Sequence, residues 1–129
     1  MPGLALKLAP REQVLINGVI VENGPRRAQI VIRSEDAAIL RLREALDESQ
    51  VIGPASRAYF AAQKALEGRG GGPRETGEAL DALAAHLGGA AALRTIEEAR
   101  QACAGGNFYR AMRSLKPLVG EEREGARLA

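Results

Sequence analysis

Two adjacent guanidiniums, Arg26 and Arg27, follow the turn sequence Asn23-Gly24-Pro25 and are the residues of this chain best suited to bind an anion. A guanidinium is a planar fork of N–H donors that stays charged at physiological pH, which matches it to phosphate. Arg33, Arg41 and Arg43 follow in the same segment. Five such groups along one edge would attract a nucleic-acid backbone, with binding that weakens as salt rises. The plainer alternative is a solvated surface, because Glu22, Glu35 and Glu44 are interspersed, and composition alone favours it. The segment holds no aromatic platform, which disfavours recognition by base stacking. It is not a phosphate loop, since no Gly-Lys-Ser/Thr follows the turn and no helix opens there.

Two further clusters mix rings with positive charge. Arg57 stands beside Tyr59 and Phe60, and Tyr109 beside Arg110, with Arg113 and Lys116 following at helical spacing. On helices these suit the rim of an apolar partner-binding stripe, with Arg57, Tyr59, Tyr109, Arg110 and Arg113 as candidate contacts. Packing inside the fold is the more ordinary role for Tyr59 and Phe60. Catalytic chemistry finds no constellation. The single histidine, His86, lies in an Ala- and Leu-rich helical stretch without an orienting partner. The single cysteine, Cys103, falls on an apolar stripe and reads as a small core residue. One Cys and one His cannot build a structural zinc site, and nothing calls for a cofactor.

The elements that would position these residues divide into β and then α, an α+β class. Leu4–Leu8 alternates as a first strand. Gln13–Ile16 and Val19–Glu22 read as strands around Asn17-Gly18, the residue pair that supplies positive φ at both centres of a type I′ turn. Gly18 as a bulge in one longer strand is the alternative. A further strand is predicted over 28–33. Residues 37–46 fit neither period well and read as a strand-like start with a helical end. From Pro54 the pattern is helical: 54–67, then 76–87, 90–104, and a last helix with Asn107 as N-cap that Pro117 ends or kinks. Inner positions are Tyr59, Ala62, Ala65 and Leu66; Ala79, Leu80, Leu83, Ala84 and Leu87; Leu93, Ile96, Ala99 and Cys103; and Phe108, Ala111, Met112 and Leu115. The glycine-rich run 68–73 reads as a flexible connection. The expected organisation is a β-rich unit over 1–46, about four helices over 47–120, and a frayed tail over 121–129.

The 129 residues are 46% hydrophobic and 26% charged, ordinary for a globular domain, but only 3% aromatic, so the core must be aliphatic. Seven positive and five negative side chains within 1–46 account for the whole net charge of +2. No run of 18 apolar residues is present, which excludes a spanning helix by pattern. The start Met1-Pro2-Gly3-Leu4 lacks the pattern of a signal peptide, and a lone cysteine fits a reducing compartment; the expectation is cytoplasmic.

Taken in order, several pieces resemble the flagellar biosynthesis repressor (FlbT) family of alphaproteobacteria. They are Leu6-Lys7-Leu8, the run from Val14 to Arg27, Ala38-Ile39-Leu40-Arg41, the run from Pro54 to Phe60, and Asn107-Phe108-Tyr109-Arg110-Ala111-Met112. The glycine-rich stretch 68–73 departs from the pattern of that family. The resemblance implies a post-transcriptional regulator that acts at the 5′ untranslated region of flagellin mRNA, lowering translation and promoting decay, together with a small partner protein, FlaF. It carries no catalytic residues over. A looser resemblance, to the carbon storage regulator proteins, rests on Asn17-Gly18 and the run Leu40-Arg41-Leu42-Arg43-Glu44. Strands this few and short bury little alone, which leaves a homodimer open. The leading expectation is a repressor binding flagellin leader RNA through Arg26, Arg27, Arg33, Arg41 and Arg43. The alternative is a protein-interaction module or chaperone for FlaF or flagellin. The first depends on those arginines sharing one rim and on their not being locked to neighbouring acids.

Overall fold

The computed structural model describes residues 3–35 and 37–128. Met1 and Pro2 of the N-terminal start, Asp36 and Ala129 lie outside the described residues. The chain divides into two units, Met1–Ala45 and Leu46–Ala129.

In the strand unit, β2 (Gln13–Ile16) and β3 (Val19–Glu22) pair antiparallel with Ile16 opposite Val19. Asn17 and Gly18 turn between them with φ of 49° and 81°, so the pair makes a primed hairpin turn and the bulge is ruled out. β1 (Leu4–Leu8) pairs antiparallel with β4 (Ala28–Ile32), Leu4 opposite Ile32 and Leu8 opposite Ala28. β4 stops one residue short of the predicted Arg33. The ambiguous stretch resolves into β5 (Ile39–Arg41), paired antiparallel to the free edge of β2, and a 3₁₀ turn over Leu42–Glu44. Asn17 also ties this join, donating its backbone N–H to the Ala38 carbonyl and accepting the Ala38 N–H on Oδ1, both at 2.9 Å. Two small sheets result, β1–β4 and β3–β2–β5. They share a core of Leu6, Leu8 and Val14, with Ile16, Ile30, Ile32 and Ile39 packed around it.

The helical unit holds α1 (Pro54–Leu66), α2 (Gly72–His86), α3 (Ala90–Ala104) and α4 (Phe108–Leu128). α1 packs on α2 and α4, and α3 packs on α2 and α4. Leu80, Leu83, Ile96, Met112 and Leu115 are fully buried, beside Ala55, Ala58 and Ala62, whose small side chains let backbones approach. The aliphatic core follows the composition. Among the described residues no buried side-chain polar atom lacks a partner: the Gln63 amide accepts the Leu46 N–H at 2.7 Å and donates to the Leu46 carbonyl at 3.1 Å.

Three expectations change. α2 begins at Gly72 instead of Thr76, because Pro73 sits in the first turn, where a missing N–H costs nothing. Leu93 is 47% exposed, and α3 instead buries Ile96, Ala99, Ala102 and Cys103. α4 neither ends at Pro117 nor frays after Gly120; it runs to Leu128. A helix-interior proline leaves the carbonyl four residues earlier without its donor. Here that residue is Arg113, exposed like Pro117, so water can serve the carbonyl, while the following Leu118 and Val119 are buried. The turn beyond them also has work to do. The Glu122 carboxylate accepts the backbone N–H groups of Ala55 at 2.7 Å and Ser56 at 3.0 Å, filling the N-terminal end of α1.

Candidate nucleic-acid interface

The pairing of β1 with β4 determines which cations meet. Leu6 and Leu8 point into the core, so Lys7 points to the opposite face. Its partner is Gln29, and two residues back along the chain Arg27 continues the same face. Arg43 enters from the turn after β5. Lys7, Arg27, Gln29 and Arg43 thus line a shallow open groove of about 500 Å³, with Ala9 and Glu12 in its wall.

Glu12 organises this groove. Its side chain is 8% exposed, and Oε1 accepts the Ala9 N–H at 2.9 Å while Oε2 accepts from Arg41 Nη1 at 2.7 Å. The Ala9 N–H and then the Arg41 guanidinium hold this carboxyl below the ordinary carboxylate value. Arg41 also donates to the Lys7 carbonyl at 3.0 Å. Opposite the acid, Asn23 fastens the arginine-bearing loop to the end of β1. Its Nδ2 donates to the carbonyls of Ala9 and Arg26, each at 2.8 Å. Backbone bonds from Arg11 N–H to Gly24 and from Asn23 N–H to Glu12, both 2.9 Å, hold the same loop.

The five arginines therefore do not form one rim. Arg27 and Arg43 are brought together. Arg26 is exposed on the adjoining loop. Arg33 is exposed beyond the far end of β4, about 20 Å from Arg27 at the rise of an extended strand. Arg41 is 17% exposed and spends its charge on Glu12, so it positions the groove instead of lining it. Lys7 is the cation that sequence reasoning missed. Its alternation with two leucines was visible, but its neighbourhood depends on which strand pairs with β1.

The proposed partner contacts also separate. Tyr59 is 4% exposed and belongs to the core. Arg57 is exposed and lines an open groove between α1 and α2 with Phe60, Ala61, Lys64, Glu75 and Glu78. Lys64 Nζ and Glu75 Oε1 meet there at 2.6 Å, which holds the Glu75 carboxyl below its ordinary value, and the Lys64 ammonium also lies 5.3 Å from the Phe60 ring centre. Arg110 and Arg113 are exposed on α4, with Tyr109 half-buried. Asn107 caps α4 by accepting the Arg110 N–H at 3.0 Å, as predicted. His86 is exposed in the last turn of α2. Burial pushes the Cys103 thiol up, away from the thiolate a nucleophile needs. Among the described residues no cluster of three or more His, Cys, Asp or Glu is placed to hold a metal, and no helix is long and apolar enough to cross a membrane.

Fold and groove together define a small α+β protein with an open, strand-borne groove lined by Lys7, Arg27 and Arg43. The chain belongs to the FlbT family: the sequence model described as "Flagellar protein FlbT" matches residues 4–125. It is 39% identical over 57 residues to the "Flagellum biosynthesis repressor protein FlbT" of Caulobacter vibrioides, covering 44% of this chain and 40% of that one. It is 32% identical over 60 residues to the "Probable flagellum biosynthesis repressor protein FlbT 1" of Bradyrhizobium diazoefficiens, covering 46% and 41%. The matched segments thus span about two fifths of the length of these curated relatives. No solved structure matches the chain.

Proposed function

We propose that this chain is a repressor of flagellar synthesis that acts after transcription, by binding the 5′ leader of flagellin mRNA and lowering its translation and stability. Family membership and the names of the relatives support the repressor role. The observation that supports RNA as the target is the groove lined by Lys7, Arg27 and Arg43, whose local acid, Glu12, is bonded chiefly to Arg41. Without stacking rings in the strand unit, its grip is on phosphates, and selectivity comes from the shape of the leader. Repression is then steric, by occupancy near the ribosome site in the cytoplasm, and a protein partner such as FlaF docks on the helical unit. No catalytic step is part of this reading.

The test is a gel-shift titration of a flagellin leader transcript against wild type and the Lys7→Ala/Arg27→Ala double variant. Both side chains lie on the surface of the strand unit, so their loss leaves the core intact. Wild type is expected to bind the leader more tightly than an unrelated RNA of equal length, and the double variant to lose about two thirds of the salt dependence, at a slope of about 0.7 per phosphate neutralised on a single strand. Absence of leader binding by wild type at low salt would transfer the function to the alternative, an interaction module for FlaF or flagellin.

A further inference from the structure

The two guanidiniums near Glu12 are held very unequally. Arg41 Nη1 makes a 2.7 Å charge-assisted bond to Oε2, is fixed a second time by the Lys7 carbonyl, and is 17% exposed. Arg43 Nε lies 3.7 Å from the same oxygen, beyond hydrogen-bond range, and its side chain is 66% exposed. Glu12 has its second oxygen on the Ala9 N–H and needs nothing further from Arg43. A long ion pair with one partner mostly in solvent is worth no more than about a five-fold change in binding. A bidentate guanidinium–phosphate bond is stronger, because both partners are charged and the fork matches the oxygens.

Resting on the RNA-binding reading above, we infer that Arg43 is the mobile member of the groove: it rests against Glu12 when the groove is empty and turns to a backbone phosphate, alongside Lys7 and Arg27, when a single strand enters. Glu12 is a built-in competitor for that arginine. It takes the place a phosphate oxygen would occupy and so sets the affinity of the groove below what its cations would give. Arg41 does not exchange, since leaving would strand a nearly buried carboxylate.

The test measures binding of a short oligouridylate by fluorescence anisotropy to wild type, Glu12→Gln, Arg43→Ala and the double variant. Glutamine keeps an acceptor for the Ala9 N–H and nearly the same volume while removing the charge. Glu12→Gln is expected to bind about two- to five-fold tighter, the equivalent of the released ion pair. Arg43→Ala is expected to bind more weakly, with its salt slope reduced by about 0.7. The gain from Glu12→Gln must disappear when Arg43 is absent. An equal gain with and without Arg43 would show Glu12 to act only as background charge and would overturn the inference while leaving RNA binding in place. No binding of the oligouridylate by wild type at low salt would overturn the inference, whereas the RNA-binding reading falls only if the leader transcript also fails to bind. Should Glu12→Gln fail to fold, an unchanged salt slope in Arg43→Ala, whose side chain is mostly in solvent, would still refute the exchange.

Discussion

Removing the Glu122 carboxylate tests why the last helix continues past its proline. Glu122 accepts the N–H groups of Ala55 and Ser56 at 2.7 and 3.0 Å, two of the three donors that the start of α1 leaves without helical partners, since Pro54 has no N–H. The residue before the helix, Gly53, has no side chain to cap with; Ser56 serves the other direction, its hydroxyl accepting the Ile52 and Gly53 N–H groups at 2.8 and 3.1 Å. Losing a cap costs about 0.5–2 kcal/mol. Losing a negative charge at a helix N-terminus costs about 0.3–1 kcal/mol more. Glu122→Ala is therefore expected to destabilise by about 1–3 kcal/mol, moving the urea midpoint down by about 1–3 M at a slope near 1 kcal/mol per M. Gly53→Ala supplies an independent approach. Gly53 is extended, at φ −166°, so alanine fits the backbone there. Its new Cβ would lie 2.5 Å from Glu122 Oε1, and the carboxylate would have to withdraw. Gly53→Ala is expected to cost nearly as much as Glu122→Ala in wild type and almost nothing in the Glu122→Ala background. Additive costs in that double-mutant cycle would refute the cap as the reason for the interaction.

Two other outcomes follow from local geometry. Glu12, Glu75 and Asp47 are all held below their ordinary values, Glu12 chiefly by the Ala9 N–H, Glu75 by Lys64, and Asp47 by the Ser49 hydroxyl. A carboxyl lowered in the folded state stabilises fully above its unfolded value and ceases to as pH falls through the folded one, so urea midpoints are expected to hold above about pH 5 and fall below about pH 4. Glu12→Gln and Glu75→Gln should each flatten that acid limb, and an unchanged limb would show those pairs to be without consequence. Gly18→Ala places a side chain at φ +81° with nothing within 4 Å of the new Cβ, so its cost is backbone strain alone, about 1 kcal/mol or more, read as faster amide exchange across β2 and β3.

Much of the fold is local in origin and was legible for that reason. Asn17-Gly18 sets its own turn, Asn107 caps its own helix, and the change from Val- and Ile-rich to Ala- and Leu-rich sequence divides strands from helices. The mixed character of residues 37–46 was also real, a three-residue strand passing into a 3₁₀ turn. The groove was legible only in part. Arg27 and Arg43 do line one groove, but Arg33 does not join them, because distance along a chain does not report that a strand carries its two ends apart. Arg41 was read as a ligand because its acid, Glu12, lies far off in sequence.

By itself, then, the sequence determined what neighbours can determine: turns, caps, helical stripes, an aliphatic core, an excess of positive charge near the start, and the family. Tertiary structure decided which charges meet. Antiparallel pairing of β1 with β4 put Lys7 beside Arg27, the return of β5 along β2 delivered Arg41 to Glu12, and burial of Leu118 and Val119 with the Glu122 cap carried α4 past Pro117. The physical reason is the same in each case. A charge or an orphan N–H is satisfied by whatever lies within about 3 Å of it, and that neighbour is chosen by packing across the fold.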